Sequence, residues 1–306
     1  MTNAQRHQRF AVAGGTGQIG LPISQSLAAA GFQVTVLSRT AKPSSDKNIV
    51  YTAADYSDES ALVEVLKGHD VVIDALAFTA ILADQDLPKR LARATKKAGV
   101  KLFVPNDWSF DMERVAERND IAVHPIANAE LDYHKYLQNE LKLPFLGIWT
   151  GIFTAYVPML LSIDFDTHTA SFVGKGDTPF ISTGYGDIGR FVAAAFTNLA
   201  PSQLENRTLR VVSQLKSPNE ILKELAGKLG SGEFKQDNMS IEEAKEKASN
   251  VDFSNMFESM LPWLKLVAET GNGGGENNDN ALVHFEPKES IVDTILADRR
   301  AASDKQ

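Results

Sequence analysis

Gly14, Gly17 and Gly20 follow one another at intervals of three, directly behind the apolar run Phe10-Ala11-Val12-Ala13. Glycines so spaced at a strand–helix junction perform distinct tasks. The first permits a tight turn, the second lets the backbone approach a diphosphate, and the third lets the helix pack on its strand. Thr16, Gln18 and Ile19 stand between them, at the head of a helix whose free N–H groups and positive dipole end attract phosphate. The chemistry these residues predict is dinucleotide binding.

The second apolar run, Gln33 to Leu37, ends in Ser38-Arg39-Thr40, with Lys42 close by. An NAD site usually places a carboxylate here to accept hydrogen bonds from the ribose 2′-hydroxyl. A carboxylate would repel a 2′-phosphate, whereas a guanidinium can grip it through paired charge-assisted hydrogen bonds. NADP(H) is therefore the expected cofactor; the alternative reading of Arg39 is a solvated arginine at a strand end. Asp55 could meet the adenine edge or simply form a turn.

Groups able to move protons cluster further on. Glu130 and His134 are four residues apart, on one side of a helix. A carboxylate beside an imidazole raises its pKa and selects its tautomer, giving an acid/base couple; the other reading is an exposed ion pair. Lys135 and His124 add two further ionisable groups to the stretch. Ala77 and Phe78, and then Asn106, Asp107 and Trp108, each follow an apolar run. Asn106 is expected to hydrogen-bond substrate or cofactor, with Asp107 and Trp108 against the substrate. The other reading of that trio is a loop held by side-chain turns over a packed indole.

The elements that must hold these residues alternate. Apolar runs begin near residues 10, 33, 49, 71 and 101, and amphipathic helical stretches separate most of them. This rhythm predicts βαβ units, a parallel sheet and right-handed crossovers, hence a doubly wound α/β Rossmann fold. Ligands of such sheets bind beyond the carboxyl ends of the strands, where all the residues above fall. Residues 1–150 are expected to form the NADP-binding domain. Residues 151–306 are expected to form a smaller α+β substrate domain, with some segments returning to the sheet. Ala127 to Leu141 reads as a helix, Ser171 to Val173 as a strand, Gly271 to Asn280 as a mobile loop, and the residues from Ala297 as a solvated tail.

Composition narrows the function. The 306 residues carry a net charge of −8 with scattered basic residues, which opposes nucleic-acid binding. Without cysteine there is no disulfide or thiolate chemistry. None of the six histidines shows ligand-like spacing, so no metal site is expected. No apolar run suits a membrane helix and no secretory signal is visible, so the expected location is cytoplasmic.

Gly14 to Gly20, Val100 to Trp108, the His124-Pro125 step, Gly151-x-Phe153 and Asp187-Ile188-Gly189-Arg190 together resemble the NmrA-like and isoflavone-reductase-like proteins, with a flavour similar to the fungal members. These are atypical short-chain dehydrogenases. The resemblance implies NADPH, a Rossmann domain with a small substrate domain, and reduction of phenolic or other secondary metabolites. It also implies that Phe153 and His124 border the substrate. Reductases of the family carry a general acid/base lysine at the start of the helix after the His-Pro step. Counting from that step puts Glu130 there, with Lys135 more than a turn beyond.

The expected function is thus NADPH-dependent reduction of a small aromatic or polyketide-like metabolite. Protonation would come from His134, Lys135 or water. The departure at Glu130 keeps two alternatives open. One is an NADP(H)-binding redox sensor that contacts a protein partner. The other is a non-redox isomerase, dehydratase or cyclase using Glu130 and His134.

Overall fold

The computed structural model describes residues 6–117, 125–249, 256–270 and 277–304. Its first half alternates strand and helix: β1 (Arg9–Ala13), α1 (Gly20–Ala29), β2 (Gln33–Ser38), β3 (Ile49–Ala53), α2 (Glu59–Leu66), β4 (Val71–Asp74), α3 (Phe78–Ala83), α4 (Leu87–Lys97) and β5 (Leu102–Val104). These strands pair in parallel in the order β3-β2-β1-β4-β5. Crossing the centre, β1 and β4 are almost wholly buried, as a strand covered on both faces must be.

Alternate residues serve two cores. Phe10, Val12, Val36 and Ile73 face α1, while Ala11, Ala13, Val72 and Phe103 face α2 and α4. Helix α2 starts where Asp58 Oδ1 accepts from the Ser60 and Ala61 amides. Helix α1 has no such side-chain cap and no acidic residue in its first turn. Its amino end is left open to an anion.

After β5 come α5 (Met112–Glu117) and α6 (Pro125–Lys135), the latter continuing into a π-helical turn over Tyr136–Glu140. Strand β6 (Leu146–Trp149) extends the sheet beside β5 through a parallel bridge between Phe103 and Phe145. Next are β7 (Ile152–Phe153), α7 (Val157–Leu160), β8 (Thr169–Ala170), β9 (Phe180–Thr183) and α8 (Tyr185–Asn198). Strand β10 (Arg207–Arg210) then returns to pair with β6 in parallel, and α8 packs on α1. Both belong to the first core, which therefore includes Ile188, Phe191 and Leu209.

The remaining elements are β11 (Gln214–Lys216), α9 (Pro218–Leu229), β12 (Lys235–Gln236), α10 (Ile241–Ser249), α11 (Met256–Glu269) and α12 (Ile291–Ser303). With β7, β8 and β9 they surround a separate apolar core containing Phe172, Phe180, Leu225, Trp263 and Ile295. The small sheets here run β11-β9-β7 and β12-β8.

Several sequence expectations change. Ser171 to Val173 is not a strand; Val173 makes an isolated bridge to Met239, and the pairing residues are Thr169 and Ala170. The tail is helical to Ser303, because Ile291, Val292 and Ile295 bury one face of α12 while its end stays exposed. Of the glycine-rich loop, residues 271–276 lie outside the described residues. Its last residues are pinned: the Asp279 N–H donates to Arg210 O while its carboxylate accepts from the Arg210 N–H, and the Asn280 carboxamide accepts from the Val212 N–H and donates to Val212 O. Among the described residues no helix is long and apolar enough to cross a membrane.

Candidate functional site

Strand register brings the separated residues to one edge. Ala13 lies beside Leu37 and Asp74, Ile73 beside Val104, and Trp149 beside Arg210. The glycine turn, Arg39, Asn106 to Ser109, Trp149 and Arg210 therefore leave the sheet together.

Gly14 sits at φ +69°, a left-handed conformation, and a Cβ there would run into the Ala75 carbonyl. A Cβ on Gly20 would strike the Gly14 carbonyl. The turn is closed by Gly17 N–H donating to Gly14 O at 2.9 Å, and Gly14 N–H donates to Tyr56 Oη at 3.3 Å. Among the described residues the amides of Thr16, Gln18 and Ile19 have no acceptor. Arg39 is exposed and makes no ion pair there. Ser38 Oγ donates to Thr40 O at 2.7 Å, so the turn that presents Arg39 is braced. Lys42 instead lies over the Tyr51 ring, 4.4 Å from its centroid. Open amides, a cradle that side chains would fill and an unpaired guanidinium form a donor set that fits a dinucleotide bearing a 2′-phosphate. Asp55 is exposed and its Oδ1 accepts from Ser57 N–H and Oγ, which is the turn-forming reading.

The groups beyond β4 and β5 are arranged differently from expectation. Asn106 Nδ2 donates to Leu76 O at 2.7 Å and to Asp74 Oδ1 at 3.3 Å, strapping the two strand ends together. Trp108 is not a substrate wall: its indole is buried in the first core and its Nε1–H donates to Asp74 O at 2.9 Å. Asp107, expected at the substrate, is also buried and turns inward to His134. Ala77 is exposed ahead of α3, with Phe78 half-buried behind it.

On α6 the expected Glu130–His134 couple does not form. His134 Nε2 meets Asp107 Oδ2 at 2.6 Å, a nearer carboxylate supplied by the segment after β5. Burial by itself would lower the imidazole's pKa. The charge and hydrogen bond of Asp107, with the charge of Glu113, outweigh it, and the net displacement is upward. Glu130 accepts from Trp149 Nε1 at 3.1 Å and from Ser109 Oγ at 3.1 Å. Burial holds its carboxyl well above the usual carboxylate range and the charge of Asp107 adds to this. The two hydrogen bonds oppose the shift without cancelling it. Glu130 is therefore a carboxyl on α6, held against the end of β6, whose proton is harder to remove than that of an ordinary carboxylic acid. Lys135 points away, paired with Asp132 at 2.9 Å, both side chains about 70% exposed. His124 lies outside the described residues.

Residues unremarked in the sequence complete the surroundings. Arg210 binds Asp111 at 2.5 Å and lies over the Trp149 ring at 4.9 Å. Asp74 is wholly buried, its Oδ2 without a partner among the described residues, and burial lifts its pKa to about 6. Phe153 is half-buried, its ring 5.8 Å from Tyr156 and 5.2 Å from Tyr185; Tyr185 Oη donates to Gln18 Oε1 at 3.4 Å. Ser109 and Trp149 were accessible to the strand-end rule, since both follow or end an apolar run. Arg210 and Tyr185 carry no local signal; a distant strand and helix bring them in.

Known proteins resemble this chain along most of its length. The model of the NmrA-like family matches residues 6–289. Oxidoreductase BOA1 of Botryotinia fuckeliana is 30% identical over 238 residues, covering 72% of this chain and 75% of that protein. Isoflavone reductase homolog IRL of Zea mays is 28% identical over 240 residues, covering 72% and 74%. A crystal structure of isoflavone reductase superposes with a TM-score of 0.75 at 18% identity, covering 94% of this chain and 98% of that one. AtPrR2 with NADP+ and (+)pinoresinol gives a TM-score of 0.73 over 94% and 98% of the chains, also at 18% identity. With an aligned family model, a shared doubly wound fold and the glycine turn in place, this chain belongs to the NmrA-like family.

Proposed function

We propose that this protein is an NADPH-dependent reductase of a small aromatic or polyketide-like metabolite, with Glu130 as the proton donor. One arrangement carries the reading: the open glycine turn and Trp149, whose indole holds the Glu130 carboxyl, leave the same edge of the sheet, and burial raises that carboxyl's pKa. The names of the relatives support it, being oxidoreductases and reductase homologues. NADPH, when bound, supplies a hydride.

The amides of Thr16, Gln18 and Ile19 would hold the diphosphate, and Arg39 the 2′-phosphate. Phe153, Tyr156 and Tyr185 would flank the metabolite. The raised pKa of Glu130 favours its protonated form, which can donate to a developing oxyanion, a step that typically contributes 10²–10⁴-fold. Positioning of the two reactants supplies much of the rest.

Turnover of a panel of phenolic ketones and enones, followed by NADPH consumption, tests the proposal. Glu130→Gln should lower kcat roughly 10²-fold and leave NADPH affinity unchanged. Failure of the wild-type protein to bind NADPH would overturn the proposal. The same carboxyl, with its raised pKa, favours a second reading, acid-catalysed isomerisation, dehydration or cyclisation. Product formed at constant NADPH would select it.

A further inference from the structure

Asp107 and His134 are 2% and 7% exposed, and their contact at 2.6 Å pins α6 to the segment leaving β5. The Phe145 ring covers the imidazole, its centroid 4.7 Å away. The same segment supplies Ser109, which holds Glu130. Three ionisable groups are thus gathered where little water screens them.

The groups around Glu130 come from every neighbouring element. The segment after β5 gives Asp107, Ser109 and Asp111, and β6 gives Trp149. Strand β10 gives Arg210, whose charge is bound to Asp111 and lies across the Trp149 ring. Helix α6 gives His134, and α5 gives Glu113, which acts on His134. Asp111 is compensated by Arg210. Among the described residues only His134 pairs with Asp107, and it compensates the charge only while protonated.

We propose that Asp107 and His134 are positioning residues that set the charge of Glu130: Asp107 opposes its ionisation, and the His134 proton decides how strongly. The proposal rests on the reading of Glu130 as proton donor, but it can be tested without turnover. The consequence is a coupled titration, in which two sites share their protonation steps. Loss of the His134 proton leaves Asp107 uncompensated and makes Glu130 hold its own proton more firmly.

The test is carbon NMR of the full chain with labelled Glu and His side chains, titrated without substrate or cofactor. In the wild-type protein the Glu130 carboxyl signal should show a second inflection where the His134 imidazole titrates. Asp107→Asn should lower the Glu130 midpoint by about one pH unit, and His134→Gln should raise it by a similar amount. A merely structural pin would shift the midpoint the same way in both variants, if at all. Coincident inflections and opposite shifts support the proposal, while no inflection, or shifts of the same sign, overturns it. Should Asp107→Asn fail to fold, the wild-type inflection and the His134→Gln arm still decide. The pH profile of kcat separates this from the reductase reading. If the Glu130 midpoint moves while the rate profile does not, the charge-setting role stands and the proton-donor role falls.

Discussion

Asp187 and Glu289 hold each other by reciprocal hydrogen bonds. The Asp187 N–H donates to Glu289 Oε2 at 2.9 Å, and the Glu289 N–H donates to Asp187 Oδ2 at 2.9 Å. Asp187 is wholly buried and also accepts from Ser213, from the Lys288 amide and from Arg190. One carboxylate thus fastens the first turn of α8 to the segment entering α12, joining the elements of the two cores. Asp187→Ala would leave several buried donors unpaired, which costs on the order of 3–5 kcal/mol. Urea unfolding should show this as a lowered midpoint, and a change below about 1 kcal/mol would remove Asp187 from this role.

The glycine turn tolerates no side chain at its closest approach. Gly14→Ala would require a left-handed alanine pressed into the Ala75 carbonyl, with strain of about 1–3 kcal/mol before the clash is counted. Calorimetric titration should find NADPH affinity abolished in a protein that is folded but less stable. Undiminished binding would dissociate the turn from the cofactor.

Arg39 is free to bind a phosphate because nothing among the described residues occupies it. Arg39→Ala should weaken NADPH by roughly 10–100-fold, the worth of about 1.5–3 kcal/mol of charge-assisted hydrogen bonding. NADH, lacking the 2′-phosphate, should bind with unchanged affinity. Equal losses for both nucleotides would refute the assignment.

Asp74 makes stability depend on pH in an unusual direction. Its folded-state pKa of about 6 lies above the ordinary 3.8 because burial disfavours the anion. Between these values the unfolded chain loses the proton while the folded chain keeps it. The group's contribution therefore falls as pH rises through about 4 to 6, and by neutral pH it costs on the order of 3 kcal/mol. Asp74→Asn removes the ionisation, so unfolding free energies of variant and wild type should diverge across that window, the variant being favoured at neutral pH. Parallel curves would show that Asp74 titrates normally.

Lys135, by contrast, faces water on the outer side of α6. Lys135→Ala should change stability by less than about 0.5 kcal/mol and leave turnover untouched. A large loss of kcat would mean that α6 turns its other face to the reaction.

The cofactor half was legible because its information is local. A strand, a turn and a helix N-terminus are contiguous from Phe10 to Leu27, so the spacing of Gly14, Gly17 and Gly20 already implies a geometry. The absence of a carboxylate after Leu37 is likewise a property of one short segment. The expectation that Glu130 takes the place of the family's lysine also rested on counting along one stretch of chain.

Side-chain partners within the site were a matter for the tertiary structure. Helical spacing put Glu130 and His134 on one side of α6, but could not foresee that Asp107 would reach the imidazole first, or that Trp149 and Ser109 would claim the carboxyl. Trp108 could have faced a substrate until the core closed over it. Arg210 and Tyr185 arrive from a returning strand and a distant helix. Periodicity constrains neighbours along the chain and the direction a residue faces. Which groups meet across elements, and how far burial shifts their protons, depends on packing between segments a hundred residues apart.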